Sequence, residues 1–224
     1  MQNIPYSRVV VFGATGATGR HFLKLVQGQT QRPIVAIVRP GRAHLKSGEG
    51  IQVIEGESTN PHFVESTLAD GDLVISFLGQ NRKTRSPWSP LTSPKDTLEQ
   101  STRNIIRVLE KRKGAALIYT SAYGVDGDWN KLPLWFRGVI LMSNVRHAYA
   151  DHAKAEQLIR NSRLPYLIVK PVLLVDGEKA ARAVELRDEP VSAFAQVNRQ
   201  ALARFVWEKA QGPLARGQIE VSGV

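Results

Sequence analysis

The sequence predicts an α/β fold of one domain, in which a doubly wound parallel sheet lies between two layers of helices. Short runs rich in Val, Ile and Leu alternate with helical stretches along the chain. These runs show no polar alternation, which is typical of parallel strands covered on both faces. A glycine-rich turn joins the first run to the first helical stretch. Repeated β-α units of this kind imply right-handed crossovers and a three-layer α/β/α arrangement.

The elements follow one another in a regular order. From their continuous apolar character we predict buried strands over 8–12, 33–38, 51–55, 72–78, 116–121 and 166–172. Helices are predicted between them over 17–28, 61–69, 95–113 and 144–162, and a further helix over 198–211 precedes a last short strand, QIEVS. Because no linker divides the 224 residues, we expect one packed domain, 1–224.

Composition and charge exclude several classes of function. There is no cysteine, which excludes disulfides, thiolate zinc sites and iron–sulfur clusters, and no motif predicts another metal. The formal charge of +10 favours anionic partners such as nucleotides. No aromatic platform lies among these charges, which argues against nucleic acid. The apolar run 132–142 contains Arg137 and is too short to span a bilayer, and no leader precedes the first strand, so we expect a cytoplasmic protein.

The turn after the first strand, FGATGATGR, predicts a dinucleotide site. Its glycines Gly13, Gly16 and Gly19 are spaced three and three. Gly13 allows the tight turn, Gly16 lets backbone approach a pyrophosphate, and Gly19 permits close packing of the helix on the strand. The N–H groups that open the helix then face the phosphates. This strand–turn–helix context is typical of a Rossmann-type sheet.

The end of the second strand indicates which dinucleotide binds. A ribose with a free 2′-OH usually meets an Asp or Glu about 20 residues beyond the glycines. Here the strand ends in Arg39, with Arg42 behind it. A guanidinium holds a 2′-phosphate by paired hydrogen bonds, whereas a carboxylate would repel it. The sequence therefore predicts NADP(H) as the cofactor and Arg39 as the residue that selects it.

In these motifs the chain resembles the atypical short-chain dehydrogenase/reductases, in the branch of NmrA-like proteins and biliverdin-IXβ/flavin reductase. The resemblance runs in order through FGATGATGR, VRP, IEGE, ISFLG, YTSAYG and RLPYLIVKP, over most of the chain. It implies that the cofactor contacts Arg39, Gly79, Ser121 and Lys154. It also implies contacts with the whole glycine motif, which is Gly13, Ala14, Thr15, Gly16, Ala17, Thr18 and Gly19.

The candidate catalytic residues are Ser121, Tyr123 and Lys154. Ser121 closes the fifth strand at the edge where doubly wound sheets bind ligands, so its hydroxyl is placed either to orient the nicotinamide or a substrate carbonyl, or to cap a loop. Tyr123 either stacks on a planar substrate, donates a proton, or packs at an interface. Lys154, at the margin of its helix's buried face, either contacts the nicotinamide ribose or extends into water.

The sequence departs from ordinary short-chain dehydrogenases because it lacks their helical Tyr-x-x-x-Lys pair. Its only such spacing, Tyr166 to Lys170, lies in a predicted strand, where the two residues are about 13 Å apart. Tyr149 and Lys154 are five apart and do not share a helix face. The standard tyrosine acid is therefore absent. The loop after the fourth strand also carries an insertion, GQNRKTRSPWSPLTSPKD.

Two loops are predicted to cover the site. The loop 81–90 brings Arg82, Lys83 and Arg85 near the cofactor phosphates or an anionic substrate. The segment 128–142 is either a hydrophobic lid over an aromatic substrate, a subunit interface, or a short helix with ordinary packing. We assign the C-terminal segment 176–224 to the same small lid region.

Two functions remain open at this point. The first is an NADPH-dependent reductase that transfers a hydride to a planar conjugated acceptor such as a flavin, a quinone or a tetrapyrrole. Such a transfer needs positioning and exclusion of water more than a dedicated acid. The alternative is an NADP(H)-sensing regulatory or assembly protein of the NmrA-like kind, without turnover. Nucleotide-sugar epimerisation is disfavoured because the tyrosine acid is absent. We expect a monomer or homodimer whose partner is a small aromatic or conjugated acceptor.

Overall fold

An eight-stranded sheet forms the centre of the computed structural model, which describes residues 5–41, 47–84, 86–177, 181–186, 192 and 194–224. The strands are β1 (Arg8–Phe12), β2 (Ile34–Val38), β3 (Ile51–Glu55), β4 (Asp72–Ser76), β5 (Ala116–Thr120), β6 (Tyr166–Pro171), β7 (Leu173–Val175), β8 (Ala183–Glu185), β9 (Gln196–Asn198) and β10 (Gly217–Gly223). The helices are α1 (Ala17–Val26), α2 (Pro61–Thr67), α3 (Thr97–Leu109), α4 (Leu134–Met142), α5 (Val145–Asn161) and α6 (Arg199–Lys209), with a 3₁₀ turn at Asp126–Lys131.

The strand order is β3-β2-β1-β4-β5-β6-β10-β8, which is that of a doubly wound sheet. Neighbouring strands in it are parallel, except that β8 at one edge pairs antiparallel with β10. The chain runs outward from β1 to β3 and then returns to the other side of β1 as β4. The carboxyl ends of β1 and β4 therefore flank the crevice where such sheets bind ligands. This topology confirms the predicted Rossmann-type fold class.

Both faces of the sheet are covered, as the unbroken apolar runs predict. On β1, Val9 and Val11 pack in the layer of α1 and α6, whereas Val10 and Phe12 pack in the layer of α2, α3 and α5. All four side chains are fully buried. Because each strand residue faces one of two apolar layers, a polar residue in these strands needs a built-in partner.

Side-chain oxygens cap the starts of α2 and α3. The Asn60 side chain accepts hydrogen bonds from the backbone N–H groups of His62 and Phe63 at the start of α2, where Pro61 is the first helical residue. The start of α3 is capped from a distance, because the Asp151 carboxylate of α5 accepts from the N–H groups of Leu98 and Glu99, each at 2.9 Å. This cap ties α3 to α5 across the layer.

The structure adds three strands that the sequence patterns do not predict. β7, β8 and β9 have three residues each, which is too short for a periodic signal. The segment 128–142 contains α4, as one of its alternatives predicts. The lid role of 128–142 and 176–224 stays a prediction, and residues 178–180, 187–191 and 193 of that region lie outside the described residues. Among the helices of the described residues, none is long and apolar enough to cross a membrane.

Candidate functional site

The glycine turn after β1 packs directly against the end of β4. Gly13 has φ +77°, and a Cβ there would lie 2.6 Å from the carbonyl carbon and oxygen of Phe77. The Gly13 carbonyl accepts a hydrogen bond from the N–H of Gly16 at 2.9 Å, and Gly16 is the N-cap of α1. The turn therefore has room for backbone only, and the first N–H groups of α1 open at the crevice.

Gly19 serves packing between the helix and the turn. A Cβ at Gly19 would lie 2.3 Å from the carbonyl oxygen of Gly13 and 2.9 Å from the Cα of Ala14. A Cβ at Gly16 would be 3.1 Å from the same Gly13 oxygen, a tight contact that a small shift would relieve. α1 can thus approach the turn closely only because residue 19 has no side chain.

A cleft of about 690 Å³ opens beside this turn, between the carboxyl ends of β1, β2 and β4. Five residues predicted to bind the cofactor line it, namely Gly13, Thr15, Gly16, Arg39 and Gly79. The other members of the glycine motif lie outside the lining, and these are Ala14, Ala17, Thr18 and Gly19. Arg42 lies outside the described residues, and so does Arg85.

Arg39 follows the last residue of β2, and its exposed side chain lies at the wall of the cleft. Among the described residues it forms no ion pair with a carboxylate, so its guanidinium remains available for an anion. Glu57 lines the cleft after β3 and supplies a carboxylate that can accept from an amino group. The guanidinium of Arg39 and the carboxylate of Glu57 therefore both border the cleft.

The sequence analysis did not identify Arg20, which also lines the cleft. Its Nε donates to the carbonyl oxygen of Thr15 at 2.8 Å. The sequence could have indicated Arg20, because a cation in the first turn of a helix opposes the helix dipole and is favourable only beside an anion. Three further polar residues line the cleft that no sequence motif predicts, namely Ser58, Asn81 and Thr92.

None of the three candidate catalytic residues lies in the lining of the cleft. Ser121, directly after β5, is 5% exposed, and its Oγ donates to a Glu156 carboxylate oxygen at 2.5 Å. Tyr123 is also buried, and its backbone carbonyl accepts from the Tyr149 hydroxyl at 3.0 Å. Lys154 extends over the surface of α5. The structure brings Ser121 and Tyr123 together at one sheet edge and directs Lys154 elsewhere.

The ion pairs of Lys154 are external to the cleft. Its Nζ lies 2.9 Å from a carboxylate oxygen of Glu99, which also pairs with Arg103 at 2.7 Å. The hydrogen bond from Lys154, followed by that from Arg103, holds the pKa of Glu99 below its ordinary value. Since Lys154 and Glu99 are solvent-accessible, this pair adds little stability.

A buried ionic network lies behind Ser121. The ammonium of Lys170 on β6 is completely buried, and it contacts Glu156 at 3.2 Å, the carboxylate of Asp128, and the backbone carbonyl of Val125 at 2.7 Å. Burial raises the pKa of Glu156, although Lys170 and Ser121 oppose that rise. Burial also acts on Asp128, but there Lys170 and Lys131 outweigh it and hold the pKa below the ordinary value. Ser121 is therefore held in place by a buried carboxylate whose charge is itself compensated.

Next to this network, Tyr119 and His152 form a buried pair. The Tyr119 hydroxyl lies 2.8 Å from His152 Nδ1. Burial, reinforced by the charge of Lys170, lowers the pKa of His152 to about 4. Burial acts on Tyr119 in the opposite direction and raises the pKa of its phenol. Both side chains are therefore neutral near pH 7 and serve packing of α5 on β5.

The insertion after β4 folds as a small hairpin fastened to α5. Arg82 and Leu91 form a bridge, and the N–H of Thr92 donates to the carbonyl of Asn81 at 2.8 Å. The Asn144 side chain, just before α5, donates to the carbonyls of Trp88 and Ser89. At the hairpin's base, Gln80 Nε2 donates to the carbonyl of Lys95 and to the carboxylate of Asp151. The hairpin thus has a defined position beside the cleft, whose lining includes its base residues 79, 81 and 92–94.

The segment 128–142 has an inner and an outer side. Leu132 and Ile140 are buried in the core, and the ring of Trp129 meets that of Tyr149 edge to face at 6.3 Å. The outer side exposes Leu134 and Trp135. Among the described residues lining the 690 Å³ cleft, none comes from 128–142.

Comparisons with known proteins agree with this architecture. The model of a family described as NAD(P)H-binding matches residues 13–213, which is nearly the whole chain. ChuY, an anaerobillin reductase from Escherichia coli, has a similar fold with a TM-score of 0.76 at 24% identity, and 96% of each chain is covered. A short-chain dehydrogenase/reductase from Veillonella parvula, solved in complex with NADP, has a TM-score of 0.76 at 17% identity over 96% of this chain and 94% of that one.

These findings bear on two of the predictions. The resemblance that the motifs indicate is confirmed at the level of the NAD(P)H-binding family, and the two solved structures have the same fold. The predicted cofactor is confirmed to the level of NAD(P)H. The geometry fits such a group, because Gly13, Thr15 and Gly16 line the cleft at the start of α1 and a Cβ at Gly79 would meet no protein atom within 4 Å.

Proposed function

Because this chain belongs to the NAD(P)H-binding family, we propose that it is an NADPH-dependent reductase that transfers a hydride to a planar conjugated acceptor. The observation that carries the proposal is the single cleft that joins the glycine turn, Arg39 and the carboxyl end of β4. It offers a phosphate-binding backbone and a selector for the 2′-phosphate, and Ser121 follows β5, the strand next to β4, at the same carboxyl edge of the sheet.

The residues that would hold the cofactor follow from the cleft lining. The N–H groups at the start of α1 and the guanidinium of Arg20 would bind the pyrophosphate, since Gly16 and Arg20 line the same cleft. Arg39 binds the 2′-phosphate, and the Glu57 carboxylate accepts from the amino group of the adenine. When bound, NADPH supplies the hydride.

Ser121 orients the reacting partners at the other end. Its proton is committed to Glu156, so the Oγ lone pairs are left to accept a hydrogen bond from a carboxamide or from an N–H of the acceptor. The burial of Ser121 excludes water from this contact, which strengthens it. A flavin, a quinone or a linear tetrapyrrole suits such a site, because reduction of a conjugated system needs orientation rather than a tyrosine acid.

The test is loss of nicotinamide absorbance from NADPH with FMN and a short quinone as acceptors, with NADH in parallel. Arg39→Ala should weaken NADPH binding by about 10- to 100-fold and leave NADH binding nearly unchanged. The matched control is Lys24→Ala, an exposed cation in the last turn of α1 outside the cleft. Ser121→Ala should lower kcat while the Kd for NADPH stays constant.

One observation favours a second function, an NADP(H)-sensing regulatory or assembly protein without turnover. Ser121 and Tyr123 are buried, and Lys154 is paired with Glu99, so the expected catalytic groups do not line the cleft. Under that function NADPH binds with the same Arg39 dependence, but no acceptor oxidises it. Saturable oxidation of NADPH that is sensitive to Ser121→Ala would exclude the sensing function.

A further inference from the structure

We propose that the outer side of α4 is a docking surface for an anionic lipid membrane. The proposal is independent of the reductase function, because it concerns a face outside the nucleotide cleft. In this face, four large apolar side chains are exposed to solvent, namely Leu134 (79%), Trp135 (51%), Leu141 (59%) and Met142 (78%). We call these four residues the α4 face.

The α4 face is continuous along the helix. Residues seven apart lie nearly above one another, so Leu134 stacks over Leu141 and Trp135 over Met142, in two rows about 100° apart. The opposite side of the same helix is apolar too, since Ile140 is buried and Phe136 packs on the core. Apart from Arg137 and Gly138, α4 is made of apolar residues, and such a helix is normally buried, which indicates that the α4 face has a covering partner.

Charge identifies the partner as anionic. The segments 73–95 and 129–150 contain no Asp or Glu, yet together they hold seven of the chain's Lys and Arg residues, in a protein whose whole net charge is +10. Hydrogen bonds from Asn144 to the carbonyls of Trp88 and Ser89 join the two segments at the carboxyl end of α4. Two segments that carry cations but no carboxylate therefore meet beside the carboxyl end of α4.

Several of these cations are free to meet an anion. Arg146 donates to the carbonyl of Leu141, which places its guanidinium beside the α4 face, and Arg137 donates to the carbonyls of Leu132 and Asn130. Within the described residues, neither guanidinium pairs with a carboxylate, nor do Arg82 and Lys83, whereas Lys131 is neutralised by Asp128 and Glu220. The proximity of Lys95 and Arg146 also helps burial to lower the pKa of His147.

A lipid surface fits this combination better than a folded partner. Tryptophan, leucine and methionine on one side of a short helix, with arginine at its borders, are the features of a helix that lies in the membrane interface. The exposed Trp88 ring at the hairpin tip, 61% accessible, extends the apolar region with a second interfacial aromatic. The protein would thus rest on the membrane, with the apolar side chains among the acyl chains and the cations at the phosphates.

The experiment is co-sedimentation of the full chain with vesicles of phosphatidylcholine alone and of phosphatidylcholine with about one-third phosphatidylglycerol. We expect binding to the anionic vesicles only, with loss in high salt. Leu134→Ser/Met142→Ser should reduce the partition coefficient at least tenfold, whereas Val224→Ser, which alters a comparably exposed apolar residue after β10, should not. Arg146→Gln should reduce it by about fivefold, and Arg107→Gln, on the exposed side of α3, should have little effect.

The result that overturns the proposal is equally defined. If the chain does not bind anionic vesicles, or if all variants bind alike, the α4 face is not a lipid surface. Sedimentation equilibrium in the absence of lipid provides the competing outcome. A dimer that Leu134→Ser/Met142→Ser dissociates, without vesicle binding, would assign the face to a second copy of the chain. Neither outcome depends on NADPH oxidation, so failure here is distinguishable from failure of the reductase function.

Discussion

Replacing Gly19 by alanine should impair both folding and nucleotide binding, whereas the same exchange at Gly138 should stabilise the protein. Both glycines are helical, in α1 and α4, so the higher helix propensity of alanine favours each variant by up to about 1 kcal/mol. Their surroundings differ. A Cβ at position 19 would lie 2.3 Å from the carbonyl oxygen of Gly13, whereas a Cβ at position 138 would meet nothing within 4 Å.

The magnitude follows from the kind of atom that is met. The neighbours of residue 19 are backbone atoms of the turn, which cannot rotate away as a side chain would. Overpacking of this severity costs about 3 kcal/mol, and subtraction of the helix propensity leaves about 2 kcal/mol of destabilisation. For a chain of 224 residues, Gly19→Ala should lower Tm by about 4–8 °C and Gly138→Ala should raise it by about 2–4 °C.

The assay combines thermal unfolding followed by circular dichroism with a fluorescence titration of NADPH. Gly19→Ala displaces the turn that forms the phosphate cradle, so its Kd for NADPH should rise more than tenfold, while Gly138→Ala should retain the wild-type value. If the two variants shifted Tm in the same direction and bound NADPH equally, the assignment of Gly19 to close packing of α1 on the turn would be refuted.

Three further predictions concern the buried charges and the cleft. The pKa of His152 is about 4 in the folded protein and about 6.5 in the unfolded chain, so the unfolded chain binds more protons between these two pH values. The free energy of unfolding should therefore fall by up to about 3 kcal/mol as the pH decreases through this window. In urea unfolding from pH 4 to 7, His152→Gln should reduce this dependence on pH. Lys170→Met removes the buried ammonium that Glu156 and Asp128 share, and it leaves Glu156 with Arg160 as its remaining cation. The variant should cost about 3 kcal/mol in the free energy of urea unfolding, part of which Lys170→Met/Glu156→Gln should restore. Arg20→Gln should weaken NADPH and NADH binding alike by about 3- to 10-fold in a fluorescence titration, because it loses a contact to the shared pyrophosphate, whereas Lys24→Gln should not.

Local patterns were sufficient for most of the fold. The strands were predictable because each is a short apolar run buried on both faces, and the start of α1 because its glycines are required by local geometry. The antiparallel strand β8 was not predictable, since a three-residue strand is too short to show periodicity. The antiparallel pairing of β8 with β10 joins parts of the chain that are distant in sequence, so no local pattern predicts it.

The candidate site was predictable where it is local and not where it is assembled from afar. Thr15 and Arg39 lie within or shortly after the glycine motif and line the cleft as expected. The environment of Ser121 depends on Glu156, which is 35 positions away, and that of Lys170 on Asp128, which is 42 positions away. No spacing rule covers such pairs, because they form only once β5, β6 and α5 have packed together.

The hairpin that follows β4 has a consequence for how proteins of this architecture diversify. Its attachments, Gln80 at the base and Asn144 beside the tip, hold it in place, and among its described residues none forms a strand hydrogen bond to the central sheet. A stretch attached in this way can be exchanged while the sheet and the glycine turn stay intact. Exchange of residues 81–92 between relatives should therefore change the rim of the cleft, which Asn81 and Thr92 line, without rebuilding the nucleotide-binding turn.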